Sequence, residues 1–190
     1  MKYWRTTFRI GGLNQDLWPE CYDRGIAAIG EYNEYGESIP DLRYMSEAEF
    51  AELWNSGDFT SVTARMSFTI LRFRMTTGDV IYVKGQKEIV GCGVVTSEYD
   101  YNPNIMGDTA DWEHFVRVKW DPDFKPIKAL LGAERLTLLH LRDARLDYLA
   151  RLLRESGQTL KGSAPLQEIA APDETRSQLH NGSQQPLSPR

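Results

Sequence analysis

The stretch TTGDVIYVKGQKEIVGCGVVTSEYDY, residues 76–101, decides how this chain folds. It reads as two strands, over residues 80–83 and from 89 to about 96, joined by a turn containing Gly85. The second strand carries Gly91 and Gly93, which pack nothing and give up much backbone entropy on folding. Three demands would justify them: a phosphate-cradling turn, a bend at the corner of a small barrel, or close approach of another backbone or a ligand. A dinucleotide fingerprint needs a further Gly or Ala three positions after Gly93, ahead of a helix, but that position is Thr96 and SEYDY continues as strand and loop. The phosphate turn is thereby excluded. With no G-x-x-x-x-G-K-[ST] anywhere, intrinsic nucleotide hydrolysis lacks its motif as well. A barrel corner explains the pair, and close approach is compatible with it.

Upstream, KYWRTTFRI predicts a first strand ending at Gly11 and Gly12. DLWPECYDRG predicts a short helix, with Asp16 placed to cap it, Pro19 in the first turn and Gly25 at its stop. IAAIG reads as a short buried strand. In SEAEFAELWNSG, Ser46 and Glu49 form a capping box, and Phe50, Leu53 and Trp54 share a face of the helix that follows. In TSVTARMSFTILRFRM, the recurrence of Val62, Met66, Ile70 and Phe73 predicts a helix laying that stripe on the core, with Arg65 and Arg72 on another face.

Downstream, HFVRVKW alternates as a half-buried strand, RLTLLHL is a last strand, and ARLDYLARLLRESG is a closing helix packed through Leu146, Leu149 and Leu153. The order is roughly β-α-β-α-α-β-β-β-β-α. Its consecutive late strands favour an α+β fold with a small, strongly bent mixed or antiparallel sheet over a doubly wound parallel one.

The chain of 190 residues suits one domain, read as residues 1–160, followed by a disordered tail over 161–190 rich in Ser, Pro, Gln and Gly. A net charge of -5 excludes a surface that is everywhere a trap for nucleic acid, while leaving room for a local basic groove. The start MKYWRTTFRIGGLNQ has no apolar run suited to a signal peptide, and no uncharged run approaches the roughly 20 residues of a membrane span. A cytoplasmic protein without membrane association is expected. Cys21 and Cys92 are the only cysteines and lack C-x-x-C partners, which argues against a disulfide framework or a zinc site.

DLWPECYDRGIAAIG, the helix ahead of residues 76–101, that stretch itself and HFVRVKW together resemble EVE domains of the PUA-like superfamily. The likeness spans roughly residues 2–120 and is closest to the EVE-like modules of modification-dependent restriction systems. It implies a small, strongly bent PUA-like β-barrel flanked by helices, with a pocket for a single base, commonly a modified one, stacked on aromatic side chains. Such a module is a non-catalytic reader that gives specificity to a nuclease or NTPase supplied by another chain. Modified DNA is the favoured ligand, with RNA second, and no cofactor or metal is implied.

Holding an extruded base takes flat apolar walls and a few groups that read its edge. By the resemblance, the pocket would use Trp4, Glu31, Tyr32 and Asn33. Glu31 stands where many relatives carry a tryptophan, and its carboxylate would accept a hydrogen bond from an exocyclic amine. Arg5 beside Trp4, Arg65, Ser67 and Arg72 of the third helix, and Lys84 and Lys87 at the hairpin turn are the candidates for the polymer backbone.

The enzymatic readings are thinner. Asp108, Asp111, Glu113 and His114 gather in GDTADWEH, but no second cluster is spaced to complete a metal site. His140 lies in an apolar run and His180 in the tail, so no nucleophile and base pair is evident. An amidohydrolase acting on a modified nucleoside, as in some PUA-like relatives, would need a lysine, a carboxylate and a hydroxyl to converge. A protein-interaction module is the remaining alternative.

Overall fold

A computed structural model of the chain describes residues 1–10, 15–33, 35–56, 59–129 and 137–162. Its first half contains β1 (Tyr3–Thr6), β2 (Arg9–Ile10), β3 (Gln15–Asp16), α1 (Trp18–Arg24), β4 (Ile26–Ile29), α2 (Glu47–Ser56) and α3 (Val62–Phe73). The second half contains β5 (Val80–Lys84), β6 (Glu88–Val95), β7 (Asp100–Tyr101), β8 (His114–Trp120), β9 (Ile127–Lys128), β10 (Leu138–Leu141) and α4 (Asp143–Glu155). The fold is α+β: a curled mixed sheet in the order β10-β1-β5-β6-β8-β4, with helices against both of its faces. Only the β1–β5 pairing is parallel along that path, and the small β2–β3 ribbon stands apart.

The two glycines sit where β6 bends. Its start pairs with β9 (Ile89 opposite Ile127), whereas its end pairs with β8 (Gly93 opposite Trp120). On the other edge the register with β5 shifts between Val83 and Lys84, opposite Gly91 and Ile89. Such an irregularity increases local twist and curls the sheet. Space explains the residue type: a Cβ on Gly91 would lie 2.3 Å from Trp18 Cζ2, and one on Gly93 would lie 2.5 Å from both Trp120 Cε3 and Val118 Cγ1. Close approach therefore operates together with the bend, and the approaching groups are side chains of the same chain. Trp18 and Trp120 meet edge to face with centroids 4.8 Å apart, and Phe8 stacks on Trp18 at 5.9 Å.

Both sheet faces are covered, which is why Val80, Ile81, Tyr82 and Val83 are all buried. Trp4, Ile81 and Val83 face the larger core with Leu17 ahead of α1, Cys21 of α1, Phe50 and Trp54 of α2, and Phe68 and Leu71 of α3. Val80, Tyr82 and Cys92 face the smaller core with Leu149 and Leu153 of α4. The Gly-Asp pair before β5 ties these layers together. Gly78, at φ 90°, lets the chain turn so that the Asp79 N–H reaches Thr76 O at 3.0 Å. The buried Asp79 carboxylate then accepts from Lys2 N–H (2.7 Å), Trp4 Nε1–H (2.8 Å) and Thr76 N–H (3.1 Å).

Helix α2 starts with the expected capping box: Ser46 N–H donates to Glu49 Oε2 at 2.7 Å and Glu49 N–H to Ser46 Oγ at 3.3 Å. Helix α3 corrects half of its predicted face: Ile70 and Phe73 pack against the core, but Val62 and Met66 are 69% and 46% exposed, and the fully buried residues are Ala64, Ser67, Phe68 and Leu71. The strand expected over KYWRTTFRI is split: Thr7 and Phe8 lie between β1 and β2, and Phe8 enters the core. The boundary drawn at residue 161 falls inside the described fold, because Lys161 N–H donates to Tyr82 Oη at 3.1 Å. Residues 163–190, with His180, lie outside the described residues.

Candidate functional site

β4 is buried along its whole length and delivers the chain to Gly30, where a Cβ would lie 2.5 Å from Asp111 O and 2.6 Å from Trp112 Cδ1. The backbone thus runs flush against residues 111–112, and only glycine fits. This contact sets Glu31 and Tyr32 on a rim beside Asp111 and Glu113. The Glu31 carboxyl is half-buried, and desolvation holds it above the usual carboxylate range, although Tyr32 N–H donates to it. Tyr32 is 41% exposed. Its phenol is pushed up by desolvation first, then by the hydrogen bond and charge of Asp111 and the charge of Glu113. On the far side of Glu113, Tyr101 Oη donates to Glu113 Oε2 at 3.0 Å. The result is a rim of tyrosines and carboxylates at one end of the curled sheet.

Asn33 builds the turn that follows. Its Oδ1 accepts from Tyr35 N–H at 3.0 Å and Glu37 N–H at 2.9 Å, while Nδ2 donates to Glu37 Oε2 at 2.9 Å. Both ends of its amide are engaged in holding the turn.

The other predicted pocket residue, Trp4, is 2% exposed; its indole is hydrogen-bonded to Asp79 and lies 4.7 Å from the His140 ring. It is core, because a strand covered on both faces buries alternate residues in both directions. The same holds for Arg5, 2% exposed. Ser67 is also 2% exposed, donating to Thr63 O at 3.0 Å and accepting from Leu138 N–H at 3.3 Å, so it seats α3 on β10.

Arg72 grips a loop, through Nε to Leu42 O at 2.9 Å and Nη2 to Arg43 O at 2.8 Å. Arg65 reaches Asn55 Oδ1 at 3.3 Å. Lys84 and Lys87 flank the β5–β6 turn at the end of β6 that pairs with β9, the opposite end from Tyr101, His114 and the Glu31 rim. The predicted basic cluster is thus dispersed. The rim itself is acidic, and sequence reading took Asp111 and Glu113 only as candidate metal ligands.

His114 has both nitrogens engaged in the core: Nε2 lies 3.0 Å from Ile39 O, and Nδ1 lies 2.7 Å from Tyr99 Oη. Among the described residues, no group of three or more His, Cys, Asp and Glu side chains is arranged to hold a metal ion.

A second cleft, of about 410 Å³, lies between the turn after β8 and the chain after α4. There Lys161 Nζ pairs with Asp121 Oδ2 at 2.5 Å and holds that carboxyl below its usual range. Tyr82 Oη donates to the Cys92 thiol and accepts from Lys161 N–H. A lysine, a carboxylate and a hydroxyl do converge here, but Lys161 and Asp121 neutralise each other. Burial pushes the Tyr82 phenol up and the Cys92 thiol up to about 12. Neither group is activated as a nucleophile, and the geometry is that of a clasp for the C-terminal segment.

The fold and its rim define an α+β domain with a curled sheet and an acidic, tyrosine-lined end. Residues 7–139 match the family described as "Domain of unknown function (DUF8426)", and the chain belongs to that family. It is similar to the NMR structure of Rpa0253 from Rhodopseudomonas palustris, at 16% identity and TM-score 0.37, over 80% of this chain and 92% of that one. It is also similar to the crystal structure of Atu2648 from Agrobacterium tumefaciens, at 15% identity and TM-score 0.39, over 83% of this chain and 94% of that one. No curated protein matches. No helix among the described residues is long and apolar enough to cross a membrane.

Proposed function

We propose that this chain is a non-catalytic reader of nucleic acid, an EVE-like domain of the PUA-like superfamily that takes a modified base at the Glu31–Tyr32 rim. In this reading it lends specificity to a nuclease or NTPase on another chain. The observation that carries it is the pairing of a desolvated carboxyl, Glu31, with a partly exposed phenol, Tyr32, directly after β4. A flat ring can stack on the tyrosine while the carboxyl meets an exocyclic amine. The surrounding acids, Asp111 and Glu113, repel phosphates. A base turned out of its strand is therefore the form of ligand that suits this rim, with the polymer backbone held away from it.

The test is a fluorescence-polarisation titration at fixed low salt against matched oligonucleotides, unmodified or carrying 5-methylcytosine, 5-hydroxymethylcytosine or N6-methyladenine, as duplex DNA and single-stranded RNA. A preference of about ten-fold or more for one modification, about 1.4 kcal/mol, lost in Tyr32→Ala and in Glu31→Gln, is expected. Equal, weak and salt-sensitive binding to all of them would sink the reading.

A further inference from the structure

The loop between β4 and α2 presents a feature that the base reading leaves unused. Tyr44 is 92% exposed, yet the backbone that carries it is fixed. Arg43 and Tyr44 are the central residues of a turn closed by Met45 N–H to Leu42 O at 3.2 Å. Leu42 N–H donates to Tyr99 Oη at 3.1 Å, and Arg72 holds Leu42 O and Arg43 O from the other side. A little upstream, His114 Nε2 holds Ile39 O. Pre-organisation of this kind serves groups that must be presented in one geometry.

The Arg43 guanidinium is committed along its edges. Asp41 pairs with Nη2 at 2.7 Å and accepts from Nε at 2.8 Å, while Asp100 accepts from Nη1 at 3.3 Å. With its charge balanced by two carboxylates, Arg43 is a poor phosphate ligand, and its flat faces are what it offers. The Arg43 Cζ lies over the rings of both Tyr44 and Tyr101, 6.0 Å from each centroid. Beside them is a hollow of about 230 Å³ lined by Asp41, Tyr44, Met45 and Glu49. Tyr101 links this loop to the rim already described, since Arg43 lies over its ring and its hydroxyl donates to Glu113, whose charge acts on Tyr32.

We infer that Tyr44 and Arg43 form a second stacking platform, which takes the unpaired base adjoining the one held at Tyr32. The ligand class is a planar nucleobase in a single-stranded stretch. Its π-face meets the tyrosine and the guanidinium plane, as unstacked bases do elsewhere, while the carboxylates turn the phosphates outward. The platform's placement beside Tyr32 rests on the base-reader proposal; its chemistry does not.

The experiment titrates a single-stranded oligonucleotide, with and without the modified base, against the full chain and against Tyr44→Ala, Tyr44→Phe and Tyr32→Ala. Parallel oligonucleotides carry an abasic position on one side or the other of the modified base. A stacked base contributes roughly 1–3 kcal/mol, so Tyr44→Ala should weaken binding by roughly 5- to 140-fold. Tyr44→Phe should bind like wild type, and an abasic position on one side should erase the difference between wild type and Tyr44→Ala. Unchanged affinity of Tyr44→Ala, with the modification preference intact, overturns the platform and leaves the base reading standing. Tyr44-dependent binding without any modification preference, and unaffected by Tyr32→Ala, overturns the base reading and keeps the platform. Absence of binding to every oligonucleotide overturns both.

Discussion

The phenol of Tyr99 lies 2.7 Å from Nδ1 of His114, and the two side chains between them hold the loop that bears Tyr44. Ile39 O can only accept, so Nε2 carries the proton, Nδ1 accepts from the Tyr99 hydroxyl, and that hydroxyl oxygen accepts from Leu42 N–H. Every polar atom of the relay is satisfied with a neutral imidazole. Burial accordingly lowers the His114 pKa from 6.5 to about 4.

That shift fixes the sign of a pH dependence. Above 6.5 both folded and unfolded chains hold a neutral imidazole, and between 6.5 and about 4 only the unfolded chain takes up the proton. Stability from this residue is therefore complete above that window and falls through it, by about 3 kcal/mol in all. Urea titrations at a series of pH values should show a shallower decline in His114→Gln than in wild type. Equal declines would place the proton uptake elsewhere.

Asp79 accepts from three donors, one of them the buried Trp4 indole. Asp79→Ala leaves that indole buried without an acceptor and strips two part-buried backbone N–H groups of theirs, and should cost about 3 kcal/mol. Asp79→Asn should cost less, since its amide oxygen still accepts. The midpoints of denaturant unfolding read both values.

Gly91→Ala forces a methyl group into the Trp18 ring. Overpacking of this kind costs roughly 1–3 kcal/mol. The double variant Gly91→Ala, Trp18→Leu should recover part of the loss, so that the two changes are non-additive in a double-mutant cycle. Strict additivity would show that the strand, and not the ring contact, needs the glycine.

Both thiols are buried and held up to about 12, so native protein should react slowly with a thiol reagent at neutral pH. Lys161→Ala removes the ion pair to Asp121 in the cleft that Cys92 also lines. Labelling, read by peptide mass mapping, should speed up at Cys92 and stay slow at Cys21. Equal acceleration at both would mean global loosening.

Much of the fold was legible because its signals are local. The capping box of α2 needs only Ser46 and Glu49 three apart, and both reciprocal hydrogen bonds form. The face of α3 was only half legible from a stripe of large apolar letters, of which Ile70 and Phe73 pack on the core. Its core side uses Ala64 and Ser67, small residues that let the helix sit close to β10, whereas Val62 and Met66 point out. Trp4 and Arg5 misled for a related reason: a strand covered on both faces hides its aromatic and its charged residue alike. At the rim, position after β4 pointed to Glu31 and Tyr32, but the neighbours that shape them, Asp111, Glu113 and Tyr101, arrive from a strand and loop some 70 to 80 residues later. Arg72, read as a phosphate ligand, is spent on carbonyls about 30 residues away.

The place of β1 in the sheet governs how the molecule can be made. The first strand of the chain lies between β5, beginning at Val80, and β10, ending at Leu141. During synthesis, Tyr3–Thr6 must wait for nearly the whole domain to leave the ribosome before both of its edges are filled. A polypeptide stopped short of Leu138 exposes the edge of β1 as a template for intermolecular pairing. Completion of the last strand is thus the step that fills the second edge of β1 and closes the sheet around it.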